Sequence, residues 1–312
     1  MNLQAPSIKS MEAHARAGID IYDRVLRYAE IEQYGTRYRL LRLGSCDFDF
    51  DVGKDVLFGR HGDRLSTVAD ALRDVFTGSV AANLQVAVHP PRCYTFFSPL
   101  PAGSPAPDRK LRLQQEAALL AGTDQHLHIT ADAVHTQSLL SGDNVDWVHV
   151  LAVEDRFQKR VNTIVKDLPH ARSRMMVGMQ AAAATISRLP KSSVHGRGSF
   201  ALGIGLYAEH VEYLLCEEGK WYYSKFTEAV PPPDVTYFAV EMLDRLRLRP
   251  EQVGRILLYG NDVDPYSFTD LETVFDLEAE KLDPLAALDL DAGSIAPDFD
   301  AEAYTACIGA SL

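Results

Sequence analysis

The chain has 312 residues, 46% of them apolar and 24% charged, which is the profile of an ordinary globular protein with a sizeable core, in one large domain or two lobes. Its formal charge of −12 and pI near 5.3 argue against nucleic acid or anionic lipid as the main partner. Cys46, Cys93, Cys216 and Cys307 form no CxxC pair, and neither a signal-peptide pattern nor a long apolar run occurs. Reduced core thiols, no zinc site, no disulfide framework, no membrane insertion and a cytoplasmic location are therefore expected.

In chain order, Met1 to Ala15 reads as a loose tail, and three strands follow between Ala17 and Phe50. Asp47 to Asp51 alternates strictly, which predicts a half-exposed edge strand with its carboxylates outward. A calcium loop is excluded there, because Val52 and Phe58 stand where such a loop needs Gly and Glu. Leu65, Val68, Ala69, Leu72, Val75 and Phe76 recur at helical spacing, so an amphipathic helix is expected. Leu84 to His89 reads as a buried strand, and a Pro-rich loop at Ser104 to Asp108 leads into a helix that Gly122 ends. His126 and His128 alternate on the next strand with no third ligand beside them, which favours a solvated strand face over a zinc pair. Arg156 to Val165 is helical, and an alanine-rich helix from Gln180 to Leu189 is expected to close a first lobe.

Pro190 to Ser199 combines Pro, Ser and Gly and is the best linker, so the lobe boundary is placed near 195. The Gly196-Arg197-Gly198 run precedes a strand instead of a helix, so it reads as a hinge and not as a phosphate loop. Beyond it come a strand pair, a helix from about Val235 to Leu246 capped by Asp234, a strand from Arg255 to Tyr259, an acidic stretch from Asp270 to Asp300, and a last helix from Ala301 to Leu312.

One stretch has a partner elsewhere. Gly203-Ile204-Gly205-Leu206-Tyr207 with Val211-Glu212-Tyr213 matches Gly18-Ile19-Asp20-Ile21-Tyr22 with Leu26-Arg27-Tyr28, 185 residues earlier. Each copy runs on through a Gly-containing turn into a third aromatic strand, Tyr38 to Leu43 or Trp221 to Phe226. That distance is too long for a solenoid, so one supersecondary unit has been used twice, once per lobe.

Two lobes that each begin with such a hairpin resemble the actin, sugar-kinase and Hsp70 superfamily. Within it the chain is similar to the PilM family of type IV pilus assembly and more loosely to the cytoplasmic domain of the type II secretion protein GspL. The landmarks are the Gly18 hairpin, Val86 to Pro90, Ser98 to Pro101, Val150 to Asp155, the second hairpin, Ile256 to Gly260 and Ile308 to Leu312. The resemblance implies a duplicated actin-like (RNase H-like) α/β fold, with lobe one at 1–195, a small inserted subdomain at about 84–153, and lobe two at 196–312. It also implies a nucleotide cleft whose residues would be Asp20, Tyr22, Gly203, Gly205 and Gly260. That cleft is degenerate: Tyr22 crowds the first turn, Gly205 replaces an Asp, Glu209 adds a carboxylate to the second turn, and Gly260 stands alone.

No catalytic dyad can be placed from spacing, and no catalytic residue or metal ligand is assigned. The expectation is a non-catalytic cytoplasmic scaffold that uses no cofactor. Its partner would be a protein, such as the cytoplasmic segment of a membrane protein in a pilus or secretion platform. The alternative is an active ATPase or small-molecule kinase using ATP and Mg²⁺. Phe96-Phe97 either line a partner groove or fill the core of the inserted subdomain.

Overall fold

The computed structural model describes residues 14–58, 62–90, 93–122, 126–138, 141–170, 172–190, 198–290, 296 and 299–312. Strands β1 (His14–Tyr22), β2 (Val25–Tyr34) and β3 (Arg37–Asp47) form an antiparallel meander. Helices α1 (Val52–Phe58) and α2 (Gly62–Val75) then carry the chain back to β4 (Asn83–Val88), which pairs in parallel with β1. Next come β5 (Tyr94–Pro101), α3 (Ala106–Ala121), β6 (Leu127–Ser138) and β7 (Asn144–Glu154), then α4 (Asp155–Val165), β8 (Arg172–Val177) and α5 (Gly178–Ile186). The second half holds β9 (Phe200–Leu206), β10 (His210–Glu217), β11 (Lys220–Glu228), α6 (Pro232–Arg245), β12 (Val253–Gly260), α7 (Thr269–Phe275), β13 (Ala279–Lys281) and α8 (Thr305–Ser311).

Two five-stranded sheets result, ordered β3-β2-β1-β4-β8 and β11-β10-β9-β12-β13. The repeat is thus a structural one, because each sheet is a meander extended by two parallel strands. Even the register repeats: Asp20 faces Arg27 across β1 and β2, and Gly205 faces Glu212 across β9 and β10. The β10–β11 turn places Glu218 and Gly219 at φ 50° and 81°, the left-handed pair that a tight hairpin of this twist demands. Helices cover each sheet. Val68, Leu72, Phe76, Phe157 and Val161 pack on Ile19, Ile21 and Val86, while Ala239, Met242 and Leu271 pack on Ile204, Tyr213 and Ile256.

The inserted subdomain is narrower than the sequence suggests. Residues 84–88 belong to β4 of the main sheet, where parallel pairing to β1 buries them, and the insertion is the separate three-stranded sheet β5-β7-β6 with α3. Gly122 ends α3 in the left-handed conformation at φ 58°. His126 and His128 are both exposed, as a solvated strand face requires. Phe96 packs with Leu113 and Val150, and Phe97 stacks on Tyr223 of β11 at 4.8 Å, so these two rings fill interfaces.

Four other expectations are corrected. Asp47 to Asp51 is no strand: β3 stops at Asp47, Phe48 and Phe50 turn their rings inward, and the Lys54 amide donates to Asp51 Oδ1 at 2.7 Å at the start of α1. Asp234 lies in the first turn of α6, whose N-cap is Pro231, because the prolines with fixed φ suit the positions where no amide bond is made. The alanine-rich helix α5 serves both lobes, with Ala182, Ala183 and Ile186 against Leu214 and Leu257 of lobe two, and Ala181 against Ala306 and Ala310 of α8. The last helical stretch runs as expected from Ala301 to Ser311, a 3-10 turn (Ala301–Tyr304) leading into α8, but it returns to lobe one, where Cys307 and Ile308 pack with Ala29 of β2. Of the expected tail from Met1 to Ala15, His14 and Ala15 belong to β1 and 1–13 lie outside the described residues, as do 191–197 of the expected linker from Pro190 to Ser199, with the lobe boundary near 195 and Gly196 and Arg197 of the hinge. No helix among the described residues is long and apolar enough to cross a membrane.

Candidate functional site

The two hairpins face one another, and what lies between them is a buried cluster of acids, imidazoles and phenols. Asp20 projects from β1 of lobe one and His89 follows the last residue of β4, while His210 and Glu212 come from β10 of lobe two and Tyr259 from β12. His89 bridges the lobes. Its Nε2–H donates to Asp20 Oδ1 at 2.8 Å and its Nδ1–H to Glu212 Oε1 at 2.9 Å. His210 Nε2 stands 3.2 Å from the same Glu212 oxygen, and the Tyr259 hydroxyl donates to Glu212 Oε2 at 2.8 Å.

Glycines make room for this arrangement. A β-carbon on Gly178, at the start of α5, would lie 2.3 Å from His89 Cε1, and one on Gly205 would lie 2.6 Å from the Tyr259 ring. Gly205 is the cross-strand neighbour of Glu212. The carboxylate that β9 lacks at that position is therefore supplied from β10, one strand over, and reaches the same cleft.

Aromatic rings wall the cluster. Tyr207 stacks on His210 at 4.7 Å and 5°, and Tyr22 packs on Tyr207 at 4.8 Å and edge-on to His89 at 5.5 Å. The Glu209 amide donates to the Tyr22 hydroxyl at 3.1 Å, and Lys54 of α1 reaches Glu209 at 2.7 Å. Arg27 donates to Asn261 at 2.9 Å, adding a further polar contact between the lobes.

Asp20, His89, His210 and Glu212 are all at most 2% exposed, so their charges must be satisfied by one another. Burial alone would depress the His89 imidazole, but the two carboxylates outweigh it and raise its pKa to about 10, which makes it an imidazolium. Burial works to raise Glu212, and His89 and His210 reverse this, holding it down at about 2. Tyr207 and Tyr259 are raised well above 10, by burial first and then by Glu212, and so remain phenols. In this closed form the groups are an ion clasp, with no face open to a substrate.

Of the residues expected to form the cleft, Asp20 and Tyr22 are in the cluster and Gly205 adjoins it. Gly203 packs against Ile186 and Leu214, and Gly260, at φ 108°, lets the end of β12 pass the Leu206 carbonyl, so neither reaches the cluster. His89, His210, Glu212, Tyr207 and Tyr259 were not among the expected residues. The repeat held one signal for them: its register sets Glu212 where lobe one has Arg27, a charge reversal beside a missing Asp.

Apart from the cluster, a groove of about 440 Å³ runs between α3 and β6, lined by Arg109, Lys110, Leu113, His126, His128 and Ile129 among others.

No family model matches the chain, and no curated protein matches it in sequence. Solved structures do match. The structure described as the PilM–PilN type IV pilus biogenesis complex superposes with a TM-score of 0.73 at 12% identity, over 95% of this chain and 97% of that one. A Bacteroides thetaiotaomicron protein of unknown function with an actin-like ATPase fold gives a TM-score of 0.52 at 11% identity, over 91% of this chain and 98% of that one. The chain thus has a duplicated α/β fold of the actin-like kind, in an arrangement similar to that of the matched chain in the PilM–PilN structure.

Proposed function

We propose that the chain is a non-catalytic actin-like scaffold of the PilM kind. It holds a segment of a partner protein, the cytoplasmic part of a membrane protein, in a pilus- or secretion-type envelope assembly. The observation that carries this reading is the Asp20–His89–Glu212 bridge. Phosphates with Mg²⁺ need open space, backbone donors and oxygen ligands between the lobes. Here Asp20 is committed to His89 at 2.8 Å, and Tyr22 and Tyr207 pack beside it. A fold kept without its nucleotide has its use on a surface, and the groove between α3 and β6 in the inserted sheet is the surface offered. The fold match to a PilM–PilN complex supports a protein partner of this kind.

Calorimetry with ATP–Mg²⁺ tests the first half: the expected outcome is affinity no tighter than millimolar. Micromolar binding would overturn the reading in favour of an ATP-dependent enzyme. Co-purification with the cytoplasmic segments of membrane proteins encoded beside the chain tests the second half. A variant carrying Lys110→Glu and His128→Glu should lose the partner, and retention would place the contact elsewhere.

A further inference from the structure

The cluster between the lobes has a ligand set as well as a charge pattern. Ligand atoms of His89, His210 and Glu212, one from each, lie within 4.8 Å of one another. Glu212 Oε1 is 2.9 Å from His89 Nδ1 and 3.2 Å from His210 Nε2. In a tetrahedral zinc site with bonds of about 2.0–2.1 Å, neighbouring ligand atoms stand about 3.3 Å apart. Two edges of that figure are already drawn to within a few tenths of an ångström.

We propose that this cluster is a site for a divalent cation of the zinc class, held by His89 Nδ1, His210 Nε2 and Glu212 Oε1. The inference rests on the scaffold reading and deepens it: the ion, in place of a nucleotide, joins the lobes.

The surroundings are those such a site requires. Asp20 accepts from His89 Nε2 at 2.8 Å, the carboxylate behind a ligating histidine that fixes its tautomer and ring plane. Tyr259 donates to Glu212 Oε2 at 2.8 Å and so leaves Oε1 for the ion. Two imidazoles with one carboxylate suit zinc better than calcium or magnesium, which take oxygen ligands. With both imidazoles neutral, Asp20 and Glu212 bring two negative charges into a buried space, and one divalent ion cancels them. On loading, His89 releases its Nδ1 proton to solvent and keeps Nε2–H for Asp20, and the freed lone pair takes the metal. Because lobe one supplies His89 and lobe two supplies Glu212 and His210, and all three are buried, the ion enters only when the lobes part.

The test uses the full chain, stripped with chelator and dialysed against Zn²⁺ or Co²⁺. One equivalent of Zn²⁺ by mass spectrometry is expected, together with the intense visible bands of tetrahedral Co²⁺. His210→Ala and Glu212→Gln should abolish both signals. Asp20→Asn, which keeps the shape of the bridge, should weaken affinity about 10- to 100-fold. The doubly substituted His126→Ala, His128→Ala chain should bind as wild type and so exclude exposed histidines. Circular dichroism confirms that each variant is folded, and the Co²⁺ spectrum of the wild-type chain stands independently of any variant. Less than a tenth of an equivalent in wild type, an octahedral spectrum, or metal retained by folded Glu212→Gln would overturn the proposal. ATP–Mg²⁺ offered to the same stripped sample separates the two readings: tight ATP binding defeats the scaffold reading, whereas silence to both ligands defeats only the metal.

Discussion

Gly18 of β1 lies directly under the backbone of α8: a β-carbon built on it would stand 2.1 Å from the Cys307 carbonyl oxygen and 2.8 Å from the Ser311 amide nitrogen. Neither atom can swing aside, since both belong to a buried helix. Gly18→Ala is therefore expected to cost about 3 kcal/mol, the upper end for overpacking a core, because β1 and α8 must separate. Gly62→Ala, where nothing lies within 4 Å, should stay within about 0.5 kcal/mol of wild type. Urea denaturation of the two variants decides, and equal stabilities would sink the argument.

The same glycine measures what was legible in the sequence. Its repetition at Gly203 exposed the duplication, and with it the two sheets, because hairpin residues are neighbours along the chain. Why Gly18 must be glycine was hidden, since the helix above it arrives from the far end of the chain. The cluster was hidden for the same reason. Asp20 and Glu212 come from two separated strands and His89 from the residue after a third, and no local period links them. Asp47 to Asp51 misled in the opposite way: its alternation is real, but Phe50 is buried and Phe48 packed against the core by a bend and not by a strand.

Tyr259 donates the hydrogen bond that satisfies the second oxygen of buried Glu212. Tyr259→Phe removes the donor and leaves the ring in place, so the loss is that of an unsatisfied buried acceptor, about 1–3 kcal/mol. A loss below about 0.5 kcal/mol in chemical denaturation would mean that Glu212 finds another donor.

His149 gives the fold a pH dependence of known sign. Burial pushes its pKa down to about 3, against a weak opposing pull from Asp132, and its ring sits against Trp221 at 4.5 Å. The folded state keeps it neutral, whereas the unfolded chain protonates it below about 6.5. Its contribution is therefore complete above pH 6.5 and is lost as pH falls towards 3. Between pH 7 and 5, wild type should lose about 2 kcal/mol more than His149→Gln, other histidines cancelling in the comparison. Parallel stability curves for the two chains would contradict this.

Thiol reactivity should follow burial. Burial pushes Cys216 up to about 12, and Cys93 and Cys307 are likewise buried and raised. Cys46, at the end of β3, is only partly buried. A disulfide reagent should label at most Cys46 within minutes in the native chain and all four cysteines once it is unfolded. Fast labelling of two or more native thiols would show that the lobes part readily.

The inserted sheet is joined to lobe two through rings. Phe97 of β5 stacks on Tyr223 of β11 at 4.8 Å and 29° and meets Trp221 edge-on at 5.5 Å. His135 of β6 lies parallel to Tyr222 at 4.8 Å and 7°. Such ring pairs contribute about 0.5–1.5 kcal/mol each beyond the area they bury. Phe97 and Tyr223 belong to different lobes, so their coupling measures how firmly the insertion is docked. A double-mutant cycle with Phe97→Leu and Tyr223→Leu should give a coupling of about 1 kcal/mol. In hydrogen exchange, the single Phe97→Leu variant should lose protection in β5 and β11 while β1 and β4, held by the core under α2, keep theirs. A cycle that closes additively, or a loss of protection spread over both main sheets, would show that the ring contacts do not join the insertion to lobe two.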